Sequence, residues 1–129
     1  MVKVLVDTSV WIDYFKHGKH VDQIRSLLEQ QRLVTNDVVL AELLPVILHD
    51  KRETIADLLH ALERIPCFVN WDGLIDAQRK CLKNGHNGIG LLDLMILQTS
   101  IEHSLEIYSL DKHFQAIAKI FKVKLHKPA

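Results

Sequence analysis

Cysteine is scarce in this chain. Among 129 residues only Cys67 and Cys81 carry a thiol, and they form no CxxC pair. A disulfide framework and a cysteine-based zinc site are therefore excluded as organising features of the fold. The scarcity favours two reduced thiols in a cytoplasmic protein.

Net charge is also lacking. The chain has 16 basic and 16 acidic residues, which gives a formal net charge of +0. Domains that coat nucleic acid through bulk charge are usually clearly basic, so this class is disfavoured. An enzyme that grips a few phosphates locally is still compatible with the balance, because an acidic metal site would offset nearby basic residues in the total.

Long apolar runs are absent, since none approaches the roughly 20 residues that a membrane-spanning helix needs. The amino-terminal run is short and is interrupted by Asp7 and Asp13, so it does not resemble a signal peptide. No repeat, linker or low-complexity stretch divides the chain. We therefore expect one soluble, cytoplasmic domain over residues 1–129, large enough to bury about two-thirds of its unfolded surface.

The chain does contain an alternation of short β-rich runs and helical segments. Strands are predicted at residues 2–6, 33–35, 66–69, 106–109 and 123–125. Helices are predicted at residues 9–16, 21–30, 51–62, 74–82, 91–103 and 112–121, and the glycine-containing segment 84–90 is predicted to be a loop. One more helix should start after a cap at Asn36 or Asp37, and Pro45 should kink or restart it. This alternation predicts an α/β sandwich around a mostly parallel sheet.

Two aspartates directly follow predicted strands. Asp7 comes after the first strand, and Asp111 comes after the strand at residues 106–109. In open parallel sheets ligands bind at the carboxyl ends of the strands, so the two side chains would converge if these strands are neighbours. Each aspartate could instead only cap the helix that follows it, which is the commoner role for a single residue.

Two further acids stand in apolar segments. Glu42 lies in VVLAELLPVIL and Asp93 lies in GIGLLDLMIL, and neither has a basic side chain within one helical turn. An isolated carboxylate in an apolar setting is costly unless it is paired or binds a metal, so a functional role is favoured for both. The alternatives are that Glu42 lies on a solvent-facing stripe and that Asp93 caps a helix that starts late.

The four acids together indicate a site for a hard cation. Ligands that are all oxygen atoms favour Mg²⁺ or Mn²⁺, with water completing the coordination. The dominant use of such a site is phosphate chemistry, because the ion lowers the pKa of a bound water and stabilises the leaving oxygen. A nucleic-acid phosphodiester is the expected substrate.

Four motifs carry a resemblance to a known family. They are VLVDTSVWIDYF around Asp7, VVLAELL around Glu42, GLLDLMILQTSIEH around Asp93 and YSLDKHF around Asp111. In this order and spacing the chain resembles the PIN domains, particularly the VapC-type toxins of type II toxin–antitoxin systems. The resemblance covers nearly the whole chain.

The resemblance implies a three-layer α/β sandwich with a central, parallel, five-stranded sheet. It implies an Mg²⁺- or Mn²⁺-dependent endoribonuclease whose metal is held by Asp7, Glu42, Asp93 and Asp111. Ser9 and Ser109 fall where the family often keeps a hydroxyl that steadies a carboxylate or bound water. The resemblance further implies a homodimer and a cognate antitoxin, with promoter DNA contacted only through the antitoxin.

The chain departs from the family pattern at two positions. His113 stands where many relatives carry a further acid, and Pro45 follows the Glu42 motif. These departures keep open a PIN fold that has lost catalysis and serves only as a binding module. A phospho-receiver domain is the other alternative, but it needs an acidic pair after the first strand, where this chain has Asp7 and Thr8.

Overall fold

A parallel sheet forms the centre of the fold in the computed structural model, which describes residues 1–128. Its four strands are β1 (Val4–Val6), β2 (Leu33–Thr35), β3 (Glu63–Arg64) and β4 (Glu106–Tyr108). They are ordered β3-β2-β1-β4, and every neighbouring pair is parallel. The α/β class and the parallel sheet predicted from the sequence are confirmed.

Seven helices connect and flank these strands within residues 1–128. They are α1 (Thr8–His17), α2 (Val21–Glu29), α3 (Asp37–His49), α4 (Glu53–Ala61), α5 (Trp71–Lys83), α6 (Leu91–Glu102) and α7 (Lys112–Phe121). All seven were predicted. Helix α5 begins three residues earlier than expected, because Asn70 caps it by accepting a hydrogen bond of 2.9 Å from the amide of Gly73.

The prediction of five strands is wrong for residues 1–128. The segment expected to be the fifth strand, residues 123–125, makes a single bridge between Ile107 and Leu125 beside β4. The prediction of a third strand at residues 66–69 is also wrong, because β2 pairs with residues 63–64 directly after α4 ends. Pro66 lacks the backbone N–H that continued pairing would need.

The third helix was predicted to kink or restart at Pro45. The restart is wrong, and the kink stays a prediction. Helix α3 runs through Pro45 as one element. Pro45 and Ala41, whose carbonyl loses its usual donor, both lie on the exposed side of the helix. Water can therefore bond that carbonyl, which lowers the cost of the missing N–H.

The core of the fold sits on the central strand. All three residues of β1 are fully buried, and Val4 pairs with Leu33 on one side and with Glu106 on the other. Because β1 and β4 are neighbours and parallel, the residues that follow them meet at one edge of the sheet. None of the helices within residues 1–128 is both long and apolar enough to span a bilayer.

Candidate functional site

Four acidic side chains gather at the carboxyl end of the sheet, and we call Asp7, Glu42, Asp93 and Asp111 the acidic centre. Asp7 follows β1 and is only 5% exposed, while Asp111 lies three residues after β4. The amide of Asp7 donates to the carbonyl of Tyr108 at 2.8 Å, which extends the pairing of β1 with β4 up to the site. The convergence predicted for Asp7 and Asp111 is what this strand order produces.

Asp7 is held by two serine hydroxyls. Ser9 Oγ and Ser109 Oγ each donate to Asp7 Oδ2 at 2.8 Å, and the amide of Ser9 donates to the same oxygen at 3.4 Å. The hydroxyls in turn accept from the amides of Leu110 and Asp111, both at 3.0 Å. This relay orients both hydroxyls toward the carboxylate and leaves Asp7 Oδ1 as the oxygen available to a cation.

Glu42 lies on the exposed side of α3 and not in the apolar setting that its sequence neighbours indicated. Its Oε1 accepts a hydrogen bond of 3.1 Å from Thr8 Oγ1. Partial burial of the carboxyl raises its pKa, the bond from Thr8 opposes this, and the charges of Asp7 and Asp93 raise it further. The solvent-facing alternative therefore describes its location, while its carboxylate still faces the other acids.

Asp93 occupies the first turn of α6, where the helix dipole favours an anion. The helix begins at Leu91 after Gly90, so the alternative that Asp93 caps a late-starting helix is wrong. Burial raises the pKa of Asp93, and the charges of Asp7 and Asp111 raise it further. His113 opposes this shift through its charge and its hydrogen-bonding capacity, but it does not reverse it.

Asp111 and His113 form the remaining corner of the site. Asp111 caps α7 by accepting a hydrogen bond of 2.9 Å from the amide of His113. The imidazole Nδ1 of His113 lies 3.5 Å from Asp93 Oδ2 and 3.7 Å from Asp111 Oδ1. Asp93, Asp111 and His113 each offer one ligand atom, and these atoms all lie within 4.8 Å of one another.

The two aspartates that follow strands, Asp7 and Asp111, also cap the helices after them, which was the alternative role for each. Asp7 caps α1 and Asp111 caps α7 through their carboxylates. Capping does not use up these groups, because each carboxylate has a second oxygen and the caps hold the side chains in place. In the described residues Asp7 and Glu42 do not belong to the tight cluster with Asp93.

Two residues of the site were not predicted from the sequence: His113 as a metal-ligand candidate and Thr8 as the partner of Glu42. The pattern Asp-x-His at the start of a predicted helix was the available signal for His113. Thr8 had no local signal, because Glu42 is distant in sequence.

No lysine or arginine among residues 1–128 forms an ion pair with any member of the acidic centre. Gathered carboxylates that no lysine or arginine pairs repel one another, and a bound cation would stabilise them. The oxygen-rich donor set, with one imidazole, fits a divalent ion such as Mg²⁺ or Mn²⁺. A cavity of about 870 Å³ lies elsewhere, at the amino end of β4, and none of the four acids lines it.

Comparison with known proteins agrees with this architecture. The PIN domain family model matches residues 4–120. The structure of DNA-bound VapBC from Salmonella typhimurium is similar with a TM-score of 0.75 and 16% identity over 98% of each chain. The structure of VapBC2 from Rickettsia felis, bound to a DNA fragment from its promoter, is similar with a TM-score of 0.77 and 18% identity over 100% of each chain.

FitAcB from Neisseria gonorrhoeae gives a TM-score of 0.71 and 20% identity over 97% of each chain. At these identities the three structures show a shared fold. A search of curated proteins by sequence finds no match.

Proposed function

This chain belongs to the PIN domain family, and from that premise we propose that it is a metal-dependent endoribonuclease, the toxin of a toxin–antitoxin pair in the cytoplasm. One observation carries the proposal. Four carboxylates from four separate segments converge at the carboxyl end of a parallel sheet with no lysine or arginine pairing them within residues 1–128. A fold maintains such mutual repulsion only at a cost in stability, which a bound ion offsets.

Asp7, Glu42, Asp93 and Asp111 are the residues that would hold Mg²⁺ or Mn²⁺. The ion would supply a hydroxide nucleophile near neutral pH and positive charge to balance the scissile phosphate. Ser9 and Ser109 orient Asp7 through two hydrogen bonds of 2.8 Å to one oxygen. Thr8 orients Glu42, and the cap at Asp111 fixes that carboxylate at the start of α7.

The partners we propose are an RNA substrate, a cognate antitoxin and a second copy of this chain, with promoter DNA reached only through the antitoxin. The structural neighbours include VapBC complexes bound to DNA, which supports an antitoxin partner. Exposed apolar side chains on and before α5 support a protein interface, because they would otherwise face water; they are Phe68, Trp71, Ile75 and Leu82.

Cleavage of RNA by the purified chain, free of any partner, tests the proposal. A mixed pool of structured RNAs is incubated with Mg²⁺, with Mn²⁺ and with EDTA. We expect cleavage only with a metal, and we expect Asp7→Asn to lower it by about a hundredfold or more, since it removes a proposed ligand. Asp76→Asn is the matched control, because Asp76 is an exposed acid on α5 that should not matter.

The binding module that has lost catalysis is the second candidate. The observation in its favour is that only Asp93, Asp111 and His113 form a tight cluster among the described residues, while Asp7 and Glu42 stand outside it. A folded protein that binds Mn²⁺ but cleaves no RNA in the pool would support this candidate. Cleavage that survives in EDTA would contradict both.

A further inference from the structure

His113 places a ring nitrogen among the carboxylates of the acidic centre. Its Nδ1 lies 3.5 Å from Asp93 Oδ2 and 3.7 Å from Asp111 Oδ1, which is too long for a strong hydrogen bond to either. The imidazole therefore faces both carboxylates and forms a strong hydrogen bond with neither. Three donors from two elements, α6 and the start of α7, converge in this way.

The backbone of His113 is held in place, and its ring lies between the carboxylates and the loop before α6. The amide of His113 donates to Asp111 Oδ1 at 2.9 Å, and the next residue, Phe114, is only 1% exposed and anchors α7 in the core. The opposite ring edge faces the loop before α6, where a Cβ built on Gly88 would lie 3.5 Å from Nε2. Of the two ring nitrogens, Nδ1 is therefore the one presented to the acids.

We propose that His113 Nδ1 binds the metal directly, together with Asp93 and Asp111, and that it makes this site prefer Mn²⁺ to Mg²⁺. The inference rests on the metal site of the proposed function. Mg²⁺ is bound almost wholly by oxygen and water. Mn²⁺ shares its preference for carboxylates but, as a softer transition-metal ion, accepts an imidazole nitrogen more readily. An acid at position 113 would instead complete a set of oxygen ligands.

Pulsed electron paramagnetic resonance of bound Mn²⁺ tests the proposal without measuring catalysis. In the wild-type protein we expect hyperfine coupling from a directly bonded nitrogen. In His113→Asp and His113→Gln this coupling should disappear, and competition should show the preference for Mn²⁺ over Mg²⁺ reduced by about tenfold in His113→Asp. His86→Gln, in the exposed loop before α6, is the matched control and should keep both properties.

Two results would overturn the proposal. One is Mn²⁺ bound to the wild-type protein without nitrogen coupling, which would make His113 a charge partner of the carboxylates only. The other is an unchanged metal preference in His113→Asp. The cleavage assay separates this inference from the proposed nuclease activity. Nitrogen coupling without RNA cleavage would support His113 as a metal ligand and contradict the nuclease. RNA cleavage without nitrogen coupling would support the nuclease and contradict His113 as a metal ligand.

Discussion

Strand β4 has a buried or half-buried acid near each end, and the surroundings of the two acids are opposite in character. Glu106, at the amino end, is 8% exposed and lies near three basic side chains. Its carboxylate oxygens are 3.0 Å from His126 Nδ1, 3.5 Å from Lys124 Nζ and 3.8 Å from Arg32 Nη2. Burial alone would raise the pKa of Glu106, but the hydrogen bond from His126 and the charge of Lys124 outweigh it and lower the pKa.

At the carboxyl end the acids face one another instead. Burial raises the pKa of Glu42 and of Asp93, and the neighbouring carboxylates raise both further. Burial is therefore common to both ends, and the difference lies in the partners. An acid paired with bases stabilises the fold by itself, whereas acids that face one another repel and would be stabilised by a cation. This difference supports the function that we propose for the carboxyl end.

The effect of a bound metal on thermal stability should distinguish the two ends of β4 most strongly. A ligand present at about a hundred times its Kd stabilises the folded state by about 2.7 kcal/mol. We expect Mn²⁺ at such a concentration to raise the midpoint of thermal unfolding by several degrees in the wild-type protein and in Glu106→Gln. Asp93→Asn should lose this rise, and EDTA should reverse it wherever it occurs.

Loss of the charge at the amino end should act on stability alone. We expect Glu106→Gln to lower the free energy of unfolding by about 1–3 kcal/mol, because three basic groups lose a buried anion. Since the pKa of Glu106 is lowered, its contribution is complete above the ordinary glutamate pKa and is lost as the pH falls through the lowered value. Chemical denaturation at neutral and acid pH measures both effects.

The difference between wild type and Glu106→Gln should therefore shrink in acid, where both side chains are uncharged. RNA cleavage should stay within about twofold of wild type once both proteins are folded, because Glu106 lies at the far end of its strand. A large loss of cleavage in Glu106→Gln at unchanged stability would contradict the claim that the amino end of β4 affects stability alone.

The hydrogen bonds from Ser9 and Ser109 to Asp7 allow a test at the carboxyl end of β4. Ser109→Ala removes the 2.8 Å bond to Asp7 Oδ2 and leaves the amide of Asp111 without its acceptor. Groups that orient a metal ligand typically contribute about 10- to 100-fold to affinity or activity, so we expect cleavage to fall by at least about tenfold. Ser104→Ala, an exposed residue after α6, is the control and should leave cleavage unchanged.

Much of the fold could be predicted because it depends on local patterns. Strand β1 is a short run of β-branched and apolar residues, and α7 shows its amphipathic spacing in the sequence over its whole length. The fifth strand could not be predicted correctly, because residues 123–125 have strand-like composition and only tertiary pairing limits them to one bridge. Strand β3 was missed since Glu63 and Arg64 are exposed and show no β pattern.

The site was predictable to the extent that each acid has a local signal. Asp7 and Asp111 follow strands, and the apolar neighbours of Asp93 make its charge conspicuous. The exposure of Glu42 could only be given as an alternative, because α3 is apolar over most of its length and the sequence does not state which side meets the core. The relay from Ser109 to Asp7 joins residues that only the pairing of β1 with β4 brings together.

Asp93→Asn, which removes one of the mutually repelling charges, should have the smallest effect on the free energy of unfolding. Its sign should be opposite to that of Glu106→Gln. Because the pKa of Asp93 is raised, the metal-free fold loses stability as the pH rises from the ordinary aspartate pKa toward the raised one. Asp93→Asn should therefore raise the free energy of unfolding in EDTA at neutral pH, by less than about 1 kcal/mol. Equilibrium denaturation in EDTA measures this gain, and a clear destabilisation would show that Asp93 supports the fold as Glu106 does.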